Sequence, residues 1–126
     1  MFNLISMIMK KLLLFSLFAA GLFLNGIAKD PVRAENSEQV VVDNDKVRVV
    51  EFVSTPGKDV CGAGMHSHDA HLTIVLTDGK VKITTKEGES QELELKSGTS
   101  IWFDPDTHKA VNSGSTELKV LLVYLK

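Results

Sequence analysis

Gly64-Met65-His66-Ser67-His68-Asp69-Ala70-His71-Leu72-Thr73-Ile74-Val75-Leu76-Thr77-Asp78-Gly79 carries three of the chain's four histidines and its plainest strand. Residues 72–76 (LTIVL) are an apolar run too short for a helix and rich in Ile, Val and Thr, which predicts a buried strand. Successive side chains on a strand point to opposite faces, so His66 and His68 share one face if their stretch is extended. Two imidazoles side by side make half of a metal site. The remaining histidine, His108, lies far along the chain, and the site is complete only if the fold brings it back.

The flanking sequence has the same short-strand character. Downstream, Asp78-Gly79 predicts a hairpin into residues 80–85 (KVKITT), where Val81 and Ile83 alternate with lysines. Glu87-Gly88 turns the chain into 90–96 (SQELELK), with Leu93 and Leu95 inward. Ser97-Gly98 leads into 99–103, which holds the only tryptophan. Trp102 and Phe103 are expected in the core. Asp104-Pro105-Asp106 is a tight turn before an extended stretch, 108–112. The last strand, 117–125 (ELKVLLVYL), is apolar on both faces. One face suits the core and the other a second subunit, so a homodimer through this strand is expected. Tyr124 is assigned to packing or to that interface. Upstream, 39–42 and 46–54 (KVRVVEFVS) read as strands around a turn at Asp43-Asn44-Asp45, and residues 55–59 as a loop. No segment after Ala28 has a helical pattern. The fold class is therefore all-β, a sandwich or small barrel whose interior can gather inward histidines.

The first 28 residues belong to no such pattern. Lys10-Lys11 precedes a nearly unbroken apolar run over 12–24, and Gly26 and Ala28 supply small residues at −3 and −1 of a cut. These are the parts of a secretory signal peptide, which places the mature protein in the periplasm or outside the cell, free of the membrane. Residues 29–38 read as a flexible lead-in and 39–126 as one domain. The leader holds two lysines and no acid, so the remainder is more acidic than the whole chain's net charge of −2. Without a basic stripe, nucleic acid is excluded as a partner. Cys61 is the only cysteine, so no internal disulfide forms. Such a thiol is buried, paired between chains, or reactive in a redox role.

Two stretches resemble the paired motifs of the cupin family. The first motif is a glycine, His-x-His, three or four residues, Glu, six residues and Gly. It is matched by Gly64, His66, His68 and Gly79, with Leu72 where the Glu is expected. The second is matched by Gly98, Pro105-Asp106-Thr107-His108 and Asn112, with a shortened Pro-to-His interval. The resemblance covers about residues 39–126 and implies a single-domain jelly-roll β-barrel. It also implies that His66, His68 and His108 converge on a divalent transition metal inside it.

Leu72 cannot bind a metal, which leaves three histidines or a fourth ligand from elsewhere. Strict alternation puts His71 on the face opposite His66 and His68, while a bulge at Asp69-Ala70 reverses that phase. His71 is thus either a fourth ligand or a catalytic proton carrier at the barrel mouth. Asp69 has the same parity problem, and Met65 has the wrong parity for a ligand. Nitrogen donors suit Fe, Ni, Cu or Zn without choosing among them. The resemblance points to a dioxygenase-type enzyme on a small molecule, with three-histidine cupins that oxidise thiols or cleave dicarbonyls as the analogy. The alternative is a non-enzymatic periplasmic module that binds a metal or small ligand.

Overall fold

A computed structural model describes residues 36–126. The leader and its cut after Ala28 lie outside the described residues. Nine strands and no helix make up the described chain: β1 (Ser37–Asp43), β2 (Val47–Ser54), β3 (His66–His68), β4 (His71–Val75), β5 (Gly79–Thr85), β6 (Ser90–Leu95), β7 (Ser100–Phe103), β8 (Asp106–Asn112) and β9 (Leu118–Leu125). Ser37 and Glu38, expected in the lead-in, instead begin β1, where they pair with Val53 and Phe52.

The strands form two sheets, β1-β2-β9-β4-β7 and β3-β8-β5-β6, which make the jelly roll. Every pairing is antiparallel. Alternation sets the core. On β9, Leu118, Val120 and Leu122 are almost wholly buried and meet Val50 and Phe52 of β2, Val75 of β4 and Val81 of β5. A side chain of this size gains about 1.5–3 kcal/mol from full burial.

Two expectations are corrected. Asp78-Gly79 does not make a hairpin, because β4 is already flanked by β9 and β7 and the chain crosses to the other sheet. Asp78 Oδ1 accepts the Ser97 N–H at 2.8 Å across that crossing. A Cβ on Gly79 would stand 3.0 Å from Leu118 Cδ1, so the glycine serves close packing. Hairpins do join β1 to β2 around Asn44 and β5 to β6 through Gly88, whose φ of 91° favours glycine. Trp102 is not in the core. It sits on edge strand β7, half exposed, with Nε1–H donating to Asp104 Oδ1. Its parity is opposite to that of Ile101 and Phe103, which face inward.

At the far end of β8, Asn112 is fully buried and fully occupied. Its Nδ2 donates to Ser54 O and Thr116 O at 2.9 Å, and its Oδ1 accepts Gly114 N–H at 3.0 Å. It ties β8 to β2 and to the loop before β9.

Candidate metal centre

The site begins with a strand register. Short β3 pairs with β8 so that His66 stands directly opposite His108 and His68 opposite Asp106. Opposed residues of an antiparallel pair share a face, so the two motifs meet at once. His66 Nε2 lies 2.8 Å from His68 Nε2. From the loop before β3, Cys61 Sγ comes to 3.3 Å from both His66 Nε2 and His108 Nε2. Donor atoms of Cys61, His66, His68 and His108 all lie within 4.8 Å of one another.

Each imidazole is held by its other nitrogen. His66 Nδ1 faces Gly64 O at 2.9 Å, His108 Nδ1 faces Asp106 Oδ2 at 2.8 Å, and His68 Nδ1 meets the Tyr124 hydroxyl at 2.8 Å. A carbonyl or carboxylate only accepts, so His66 and His108 carry a proton on Nδ1 and turn Nε2 inward. The Tyr124 hydroxyl can accept from His68 Nδ1 as well as donate to it, which leaves His68 free to do the same. Ligating histidines with their second nitrogen tied in this way are the usual supporting shell of a metal.

Electrostatics agree. Burial, then the neighbouring histidines, push His68 down to about 4, so it is neutral at neutral pH. Burial, then the Asp59 charge, push the Cys61 thiol up to about 12. Burial also raises Tyr124 to about 12, so its proton stays on. The His108 hydrogen bond holds Asp106 below the usual carboxylate range. Three imidazoles and a thiol that a cation would deprotonate make a nitrogen–sulfur donor set. It fits zinc, copper, nickel or iron, and not magnesium or calcium.

His71 lies beside this group and outside the four. Its ring centroid is 5.1 Å from that of His68, it stacks on Phe103, and its Nδ1 faces Asp69 O at 2.7 Å. Neither strict alternation nor a bulge at Asp69-Ala70 describes this stretch: the chain breaks between β3 and β4, which lie in different sheets. His71 and Thr73 therefore line the interior, and Leu72 points away, beside Trp102 and Val123. Met65 is exposed.

Cys61 and Tyr124 join the site from positions that spacing alone did not assign to it. Tyr124 shares the inward parity of Leu118, Val120 and Leu122, which is the signal that would have found it. Gly62 is a third such residue: a Cβ there would meet the His66 ring at 2.8 Å.

Comparison with known proteins agrees with this picture. The cupin domain model matches residues 51–124. Among solved structures, a cupin domain from Bordetella pertussis Tohama I is 27% identical with a TM-score of 0.65, covering 75% of this chain and 96% of that one. An RmlC-like cupin family protein with a double-stranded β-helix fold from Methanocaldococcus jannaschii is 16% identical with a TM-score of 0.59, covering 75% and 84%. The polyketide cyclase RemF from Streptomyces resistomycificus is 21% identical with a TM-score of 0.55, covering 79% and 70%. The last two likenesses speak for the fold alone. Comparison with curated proteins gave no match. Motifs, fold and family match together place this chain in the cupin family.

Proposed function

We propose that the protein holds one divalent transition metal through His66, His68, His108 and Cys61 and acts with it on a small molecule outside the cytoplasm. The observation that carries this reading is the convergence of three imidazole Nε2 atoms whose Nδ1 partners are all tied. A redox-active metal bound there would supply dioxygenase-type chemistry. This chain's residues would orient the ligand and manage its proton, the latter through His71, which is buried beside the cluster. The leader over residues 1–28 supports export. The outer row Val49, Val123, Leu72 and Trp102 supports a second copy as the cover of that face.

Cys61 favours a second reading. Four protein donors can saturate a tetrahedral ion, which suits a binding module and not an enzyme. The test is metal content of the purified chain followed by O₂ uptake of the iron-loaded protein with small acids, thiols and diketones. Uptake that is lost in a His66→Ala, His68→Ala variant supports the enzyme. Stoichiometric metal without uptake supports the binding module, and no metal defeats both.

A further inference from the structure

The cluster lies between two spaces of opposite character. On one side is an open cleft of about 550 Å³ lined by His66, His68, Tyr124 and Arg48. On the other is an apolar cavity of about 60 Å³ inside the barrel, walled by Ile83, Ile101 and Phe103. Cys61 belongs to the walls of both. His71 and His108 are the imidazoles that face the inner space.

The inner cavity is far too small for a whole ligand of ordinary size, which needs about 300 Å³ or more. It does exceed the roughly 10–15 Å³ that a single water needs, yet its mostly apolar wall offers water few partners. Such a space suits a short alkyl group. The polar groups on its wall are Cys61, Thr73, His71 and His108, and the rest is apolar. His71 Nδ1 faces the Asp69 carbonyl and so carries a proton, which leaves Nε2 as the ring nitrogen without a partner in the backbone.

We propose that the site takes a small amphipathic molecule. Its chelating head meets the metal, and a straight tail of about two or three carbons fills the inner cavity, with a head-group N–H or O–H donated to His71 Nε2. This rests on the metal-binding reading above and adds the class of ligand. A ligand that is polar throughout would leave the cavity dry and gain nothing from it. A long or bulky tail would not fit.

The test is calorimetric titration of the nickel-loaded protein, since nickel takes more than four ligands, with acetohydroxamate, butyrohydroxamate and hexanohydroxamate and with nickel content measured on every sample. The expected gain is about fourfold for each of the two methylenes that separate acetohydroxamate from butyrohydroxamate, with little or none beyond. Ala110 lies on the cavity wall opposite Ile83 across the strand pair. Ala110→Leu fills the space and should abolish the gain while leaving nickel content and acetohydroxamate binding unchanged. Ile83→Ala enlarges it and should move the optimum to the hexanoyl chain, so this variant decides the matter if Ala110→Leu does not fold. A flat series with full nickel content overturns the ligand class and leaves the metal site standing. The same gain in both variants overturns it too, and failure to take up nickel overturns both.

Discussion

Strand β8 has a polar residue buried at each end, and the two ends are opposites. Asn112 finds a partner for every hydrogen-bonding group it offers, all of them within the protein. His108, four positions earlier on the same strand, satisfies Nδ1 with Asp106 and turns Nε2 toward the Cys61 sulfur and the other imidazoles. A buried polar group whose bonds all close on the protein is a latch. A group of acceptors that meet with too few donors is a place for a cation. Both residues belong to the same sequence motif, and only the partners tell their uses apart.

The largest effect should come from the open end. A His66→Ala, His68→Ala variant should lose metal affinity by about a thousandfold or more, since it leaves at most two donors, while the metal-free fold keeps its stability within about 1 kcal/mol. Equilibrium metal titration and denaturant unfolding check the two halves. Equal loss of stability would mean that the histidines, too, are latches.

At the closed end the pattern inverts. Asn112→Ala removes the partner of the buried Ser54 carbonyl, of the Thr116 carbonyl and of the Gly114 N–H, and should cost about 1–3 kcal/mol in denaturant unfolding with metal stoichiometry intact in the folded fraction.

A smaller effect separates donors from their supports. Tyr124→Phe and Asp106→Asn should each weaken metal binding by about 10–100-fold without changing stoichiometry. Unchanged affinity in both would show that the tied Nδ1 atoms do not orient the rings.

The smallest effect is a single proton. The Cys61 thiol, raised to about 12, is protonated at pH 7–8, whereas His68, lowered to about 4, is already neutral there. Coordination by Cys61 should therefore release one proton that Cys61→Ser does not release, with no contribution from His68. Calorimetry in buffers of different ionisation enthalpy counts it. Equal release from both proteins would remove Cys61 from the donor set and leave the three-histidine site open.

Much of this was legible in the chain. Alternation and turn residues located every strand except three-residue β3, with β1 placed two residues too late, and His66 and His68 stood out by type and spacing, whereas His108 was tied to them only by the resemblance to the paired motifs. What local pattern could not carry was the assignment of strands to sheets. Asp78-Gly79 has hairpin chemistry, yet the neighbours of β4 are chosen by strands distant in sequence. Trp102 is large and apolar, yet its parity on an edge strand decides its exposure. Cys61 and Tyr124 reach the site through a loop bend and a register that exist only in the folded molecule.

The most direct test of the central claim is a crystal of the metal-loaded protein with diffraction recorded on both sides of the metal's absorption edge. The account predicts one anomalous peak per chain, about 2.0–2.1 Å from Nε2 of His66, His68 and His108 and about 2.3 Å from Cys61 Sγ. A peak elsewhere, or none in a crystal grown with excess metal, would contradict it.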